Sequence, residues 1–337
     1  MTDPYTHLDT HLDTHLDTDL LIVGAGPVGL YGAYYAGFRG LRTTVIDALP
    51  EPGGQITAMY PEKLIHDIAG FPAVRGRDLV DGLVQQAAPF SPVYLLGEVA
   101  ESLTYDGDCP VLRTSGGRTI TAGAVVITGG IGKFDPRPLP VGSEFAGRGL
   151  EYFVPRVDDY ADLDVVVVGG GDSAVDWANT LLPVSRSITL VHRREKFRAH
   201  QHSVSELRDS AVRILTSCEV SAVHGNGRVE AVDVVHSPTA SIRRIHTQAI
   251  VAALGFVADL GPLEGWGLDI RARRIEVATT MATNLPRVYA AGDITAYPGK
   301  VRLIAVGFGE VALAVNNAAV AVDPSLDLFP GHSTATL

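Results

Sequence analysis

Cysteine is nearly absent from this 337-residue chain, which has only Cys109 and Cys218. They stand far apart and form no CxxC, so neither a disulfide framework nor a cysteine metal cage is indicated, and both are expected as buried thiols. Long apolar runs are missing too. None reaches the roughly 18 residues needed to span a bilayer, and the opening residues are polar and acidic, unlike a secretory signal. The expectation is a cytoplasmic protein with no membrane partner. Positive charge is the third shortage: 27 Lys and Arg against 38 Asp and Glu give a net charge of −11. That balance argues against nucleic acid as the main partner while leaving room for local basic patches. Part of the acidic excess lies in a leader, where His7-Leu8-Asp9-Thr10 recurs at 11–14 and 15–18. Short polar repeats of this kind build no core, so residues 1–18 read as a disordered leader rather than a histidine metal site.

Glycine is plentiful, with 36 residues, and 46% of the chain is hydrophobic. That composition suits a globular protein with many tight turns, long enough for two domains with separate cores. Two glycine fingerprints organise it. The first, Gly24-Ala25-Gly26-Pro27-Val28-Gly29, follows the apolar run Leu20 to Val23, and Asp47 ends the next apolar run. The second, Gly169-Gly170-Gly171-Asp172-Ser173-Ala174, follows Val165 to Val168, and after Ile188 to Val191 come His192, Arg193 and Arg194. Such glycines permit a tight strand-to-helix turn and let backbone N–H groups approach a pyrophosphate at the positive end of a helix. A carboxylate about 20 residues further on accepts hydrogen bonds from a free ribose diol, whereas arginine there pairs with a 2′-phosphate. Gly24, Gly26, Gly29 and Asp47 therefore indicate FAD or NAD, and Gly169, Gly171, Ala174, Arg193 and Arg194 indicate NADP. Lys196 and Arg198 either assist at the phosphate or decorate the surface, and Arg193 and Arg194 are favoured as the specific contacts because planar guanidinium forks suit phosphate. His200 and His202 lack carboxylate or cysteine companions at ligand spacing and read as surface residues, so no metal site is expected.

Apolar runs of four to six residues alternate with longer amphipathic stretches, the pattern of a parallel α/β fold. Between Leu95 and Ile127 the period shortens, and turn signals at Asp106-Gly107-Asp108 and Ser115-Gly116-Gly117 predict a hairpin or meander. A glycine-rich hinge is expected at residues 128–132, and a second break near 276–284. The expected architecture has two Rossmann-like dinucleotide-binding domains: an NADP domain at 129–279, inserted into a discontinuous FAD domain at 19–128 and 280–337.

Further segments give the pattern a family likeness: Pro52-Gly53-Gly54-Gln55 with Tyr60, Gly169 to Trp177, the basic stretch His192 to His200, and Gly292-Asp293 running to Lys300. Together they resemble the two-dinucleotide flavoprotein disulfide reductases, and within them the thioredoxin-reductase-like ferredoxin–NADP⁺ reductases, over nearly everything after residue 18. True thioredoxin reductases carry a redox CxxC in the nicotinamide domain. This chain has none, so a dithiol relay is not available to it. The resemblance implies that Asp47 holds the adenosine ribose of FAD, Gln55 reaches the flavin region, and Asp293 hydrogen-bonds the ribityl chain. It further implies that Tyr60 stacks on one flavin face, and that Val99 and Phe134 pack near the adenine and the flavin. His332 and Ser333 of the C-terminal tail would cover the opposite flavin face, often from a partner subunit, which implies a homodimer.

The activity implied is hydride transfer from NADPH to FAD and single-electron release to ferredoxin, with flavodoxin as an alternative acceptor. No acid–base dyad is required for this, since the flavin carries the chemistry. Two other readings stay open: an NADPH-dependent reductase of a disulfide or of oxygen, and a redox-sensing module that holds FAD and NADPH without turnover. Arg75, Arg77, Lys133 and Arg137 are candidates for a basic face toward an acidic ferredoxin.

Overall fold

A computed structural model describes residues 14–331. The chain folds into two compact units. Of the described residues, one unit comprises 14–58, Leu64–Lys133 and 258–331; the other comprises Met59–Lys63 and Phe134–Val257.

The first unit opens with strand β1, His15–Val23, whose residues Leu20, Leu21 and Ile22 are wholly buried. A continuous apolar run of this kind suits a strand covered on both faces. Helix α1, Pro27–Phe38, follows, with Pro27 at its start, where the missing N–H costs nothing. Strand β2, Thr43–Asp47, returns beside β1, and after helix α2, Gly76–Ala87, strand β3, Val93–Leu96, joins β2. The shortened period then yields the expected meander: β4 (Ala100–Asp106), β5 (Cys109–Thr114) and β6 (Thr119–Ile127) pair antiparallel in sequence. The sheet runs β3-β2-β1-β6-β5-β4, with β1 parallel to both β2 and β6.

The chain leaves this unit within β7, Lys133–Pro136. The second unit builds a five-stranded parallel sheet from β8 (Leu150–Glu151), β9 (Asp164–Val168), β10 (Ser187–His192), β11 (Arg213–Thr216) and a later strand. Helix α3, Asp172–Leu181, connects β9 to β10, and helix α4, Gln201–Asp209, connects β10 to β11. Strands β12 (Cys218–His224), β13 (Ala231–His236) and β14 (Ser241–His246) form a separate antiparallel meander. Strand β15, Ala249–Ala252, then inserts between β8 and β9. The chain returns within β16, Phe256–Asp259, which pairs with β7. Strand β17, Val288–Ala290, joins the first sheet parallel to β6, and helix α5, Ile304–Val322, closes the fold.

Four sequence expectations need correction. His15–Thr18, read as leader, belong to β1: His15 pairs with Thr119, and the buried Thr18 hydroxyl donates to the Arg42 carbonyl at 2.9 Å. The inner unit spans 134–257 rather than 129–279, because Leu260, Leu263, Trp266, Leu268 and Ile275 are buried in the core of the first unit. Cys218 is buried, but Cys109, on a strand of the meander, is partly exposed. Finally, α5 is, by length and composition, apolar enough to cross a membrane. Here Val311, Ala314, Val315, Ala318 and Ala319 of that helix are wholly buried in the core it shares with β1 and α1. The small residues of α1 allow this approach, since a Cβ on Gly32 would stand 2.8 Å from Val311 Cγ2.

Candidate functional site: two glycine cradles

In the first unit the loop after β1 is fixed by close backbone approach. Gly24 has φ +117°, and a Cβ there would lie 2.7 Å from the Thr128 carbonyl oxygen. A Cβ on Gly29 would lie 1.8 Å from the Gly24 carbonyl oxygen. Gly26 is different. It caps α1 with no side-chain hydrogen bond, and among the described residues nothing beyond its chain neighbours lies within 4 Å of where its Cβ would be. The first-turn N–H groups of α1 thus face an open space that no fold contact explains, which is what a pyrophosphate needs.

The other candidates of this unit gather around that opening. Asp47, at the end of β2, accepts from Ala25 N at 2.6 Å and Leu49 N at 2.8 Å. Burial pushes its carboxyl above the usual range, while the two N–H bonds pull the other way. The Asp47 carbonyl accepts from Glu98 N at 3.1 Å, which sets Val99 beside it; Val99 N in turn donates to Ser115 Oγ at 2.9 Å. Gly53 N donates to the Ala25 carbonyl at 2.8 Å, and the Gln55 amide reaches Gly130, 2.9 Å from the Cβ position there. Gly292, at φ +85°, places the Asp293 turn against Val28 in the first turn of α1.

Glu310, which the sequence reading did not single out, holds this turn together with Tyr297 and Lys300 of the Gly292–Lys300 segment. Gly292 N donates to Glu310 Oε2 at 2.7 Å, and Glu310 Oε1 accepts from both the Tyr297 hydroxyl and Lys300 Nζ. Glu310 is buried and is the only charged residue of α5. A lone acid in an otherwise uncharged helix is the signal that would have marked it. Asp293 also accepts, through its carbonyl, from Arg274 Nε at 3.2 Å. Arg274 belongs to a basic turn: burial, and then the like charges of Arg302 and Arg273, hold its guanidinium below its ordinary pKa.

The second cradle repeats the first inside the other unit. Gly169 has φ +152°, and a Cβ there would meet the Ala253 carbonyl oxygen at 2.4 Å and the Ala174 methyl at 2.8 Å, which accounts for the small residue at 174. Gly170 packs against the His192 ring, whose nearest atoms lie 2.1 Å from where a Cβ on Gly170 would be. Gly171 caps α3 without a side-chain bond and, like Gly26, has space around it. The basic stretch folds back onto this loop: Arg198 N donates to the Gly170 carbonyl at 2.7 Å, and His200 N donates to Asp172 Oδ1 at 2.8 Å. His192 Nε2 donates to the Lys196 carbonyl at 3.1 Å, so its ring is a wall of the cradle. Arg193 and Arg194 follow directly at the end of β10 and are exposed.

Tyr60 belongs to a different unit from the first cradle. It is grouped with the second unit, packed on that unit's core, in a cleft with Phe153, Phe256, Ser173 and Gly255. Lys63, three residues on, forms an ion pair with Asp176 of α3. Phe134 stands in β7, its side chain outside the described residues, and His332 and Ser333 also lie outside them. Of the basic candidates, Arg75 pairs with Asp78 at 3.2 Å and shares the first unit with Arg77 and Lys133, whereas Arg137 belongs to the second. Among the described residues no three metal-ligating side chains converge.

One Rossmann-like unit inserted in another, each with an uncapped glycine cradle at the carboxyl end of its sheet, defines a two-dinucleotide oxidoreductase architecture. A model of the family described as pyridine nucleotide-disulphide oxidoreductase matches residues 18–321. A ferredoxin–NADP reductase of Salinispora arenicola is 62% identical over 317 residues, covering 94% of this chain and 98% of the relative. One from Thermus thermophilus is 50% identical over 322 residues, covering 94% and 96%. The crystal structure of T. acidophilum thioredoxin reductase superposes with a TM-score of 0.76 at 25% identity, covering 92% of this chain and 99% of that one. The chain belongs to the pyridine nucleotide-disulphide oxidoreductase family, and its curated relatives place it with the ferredoxin–NADP reductases there.

Proposed function

We propose that this protein is an NADPH-dependent flavoprotein that reduces ferredoxin. FAD, when bound, would supply the chemistry by taking a hydride from NADPH and releasing single electrons. The chain's own residues bind and orient. The α1 N-terminus at Gly26 receives the FAD pyrophosphate, and Asp47, already aimed at the loop, accepts the ribose diol with Val99 beside it. Gln55 and Asp293 hold the flavin end. In the second unit Gly171 receives the NADPH pyrophosphate, and Arg193 and Arg194 pair with the 2′-phosphate. Tyr60 and Phe134 cover the flavin, and His332 and Ser333 approach it from the tail of a second subunit in a homodimer.

The observation that carries this reading is the pair of open cradles followed by residues of opposite charge. The two thiols also weigh against a dithiol relay, since they sit in different units and burial pushes the Cys218 thiol up. Unpaired thiols suit a reducing, cytoplasmic setting. The turn carrying Arg273 and Arg274, with Arg302, is a better docking face for an acidic iron–sulfur protein than Arg75, Arg77, Lys133 and Arg137, because Arg274 is bonded directly to Asp293. Anaerobic mixing with NADPH should bleach the flavin, and added ferredoxin should then be reduced. A flavin that stays oxidised would remove the enzyme reading, and bleaching without ferredoxin reduction would redirect it to another acceptor.

A further inference from the structure

Glu310 is an expensive residue to keep where it is. Its side chain is 5% exposed and that of Lys300 is 7% exposed. The helix positions around it, Val311, Ala314 and Val315, are wholly buried. Removing two charges from water costs several kcal/mol per ion, and a well-packed apolar pair in such a place is often as stable or more so. The ion pair therefore calls for a reason other than stability. Its geometry supplies one: Oε1 takes up Lys300 and Tyr297, which leaves Oε2 aimed at the N–H of Gly292. That N–H belongs to a residue at φ +85°, immediately before Asp293. An apolar side chain at 310 would leave the N–H buried without an acceptor. Lys300 also lies 5.5 Å from the centre of the Tyr297 ring, so the loop 297–300 is held by the same carboxylate.

We propose that Glu310 and Lys300 are positioning residues for the flavin, the carboxylate fixing the Gly292–Asp293 turn and the ammonium balancing its charge so that the clamp leaves the flavin's reduction potential unbiased. The proposal rests on the reading that the first unit holds FAD. As a pair the two charges nearly cancel at the flavin. Either one alone is an uncompensated charge in a low-dielectric interior, where its field is felt strongly. The two single neutralisations must then move the flavin in opposite directions. Glu310→Gln leaves the ammonium and favours the electron-rich reduced flavin. Lys300→Met leaves the carboxylate and favours the oxidised one.

The test uses the full-length holoprotein and reads FAD dissociation and the flavin midpoint potential by dye titration. Glu310→Gln should raise the potential and Lys300→Met should lower it, each by about a tenfold change in the ratio of reduced to oxidised FAD affinity, or about 30 mV for a two-electron couple. The double variant should return toward the wild-type potential. Tyr297→Phe, which removes a hydrogen bond without changing charge, should weaken FAD binding and leave the potential unmoved. Potentials that shift in the same direction, or not at all, in variants that bind FAD would overturn the proposal and leave the flavin reading standing. A wild-type protein that takes up no FAD would overturn both.

Discussion

The glycines of each cradle divide into two kinds by what surrounds them, and the division makes them separable in experiment. Gly24 and Gly169 are needed by the fold, because their φ values and the carbonyls beside them leave no room for a methyl group. At Gly26 and Gly171 a Cβ would meet no close contact among the described residues. Gly26→Ala should therefore leave the melting temperature of the apoprotein unchanged within about a degree while abolishing FAD retention, whereas Gly24→Ala should lower both. Equal melting loss in the two variants would show that the open space is structural. Replacing Arg193 and Arg194 by alanine should raise the KM for NADPH by about 10- to 100-fold, since a hydrogen bond to a charged group is worth about 1.5–3 kcal/mol. The KM for NADH should hardly move, and equal losses for the two nucleotides would refute the phosphate assignment. These residues were legible in the sequence because a fingerprint and its discriminating residue are linked by one strand and one helix. Glu310 was not, because its partner Gly292 lies in a different element and no short-range rule connects an acid in a helix to a turn ahead of it. His192 was hidden for the same reason: only the fold lays its ring on Gly170.

Elements were read well where their periodicity was undiluted, as in β1, β2, β9, β10 and the meander. Boundaries failed where composition misled. The repeat that marks 15–18 as polar leader also supplies an extended, hydroxyl-rich edge to β1, and pairing with β6 overrides the repeat. A chain begun at Asp19 should melt lower than one begun at His15, since it loses four registers and the buried Thr18 hydroxyl. Equal stability would put the true start of the strand at Asp19. At the other end, Glu310 ties α5 to the loop that follows β17 through Tyr297, whose phenol is pushed up to about 12 by burial and then by its bond to Glu310. A phenol whose pKa is raised on folding holds its proton in the native state after the unfolded chain, near pH 10, has begun to lose it. Stability contributed through this group is therefore complete below pH 10 and declines from there toward pH 12. In chemical denaturation, the gap between wild type and Tyr297→Phe should be widest below pH 10 and close as the pH rises. A gap independent of pH would assign the effect to packing alone.

At the scale of the molecule, nesting of one unit in another was legible because the fingerprint recurs, and the first crossing, within β7, lies just past the glycine-rich hinge expected at 128–132. The return, within β16, was not legible, because the residues after it are committed to the first unit by burial in its core rather than by any local turn signal. The inner unit has two cores of its own, on Val165, Val167, Leu190 and Val251 and on Val166, Val191, Val232 and Ile250. Expressed alone as residues 134–257, it should fold and bind a 2′-phosphorylated adenine nucleotide, as followed by calorimetry, and an unfolded product would show that its stability is borrowed. The pairing of β7 with β16 bears on descent as well as on folding. A module whose entrance and exit lie side by side can be acquired, exchanged or lost by a gene through a single insertion event, without re-threading its host. On the proposed reading of Arg193 and Arg194, the preference for one nicotinamide coenzyme over another is carried within that insert. A lineage could therefore change its source of electrons by replacing a cassette while the flavin-holding frame, with its Glu310 clamp, is inherited unaltered.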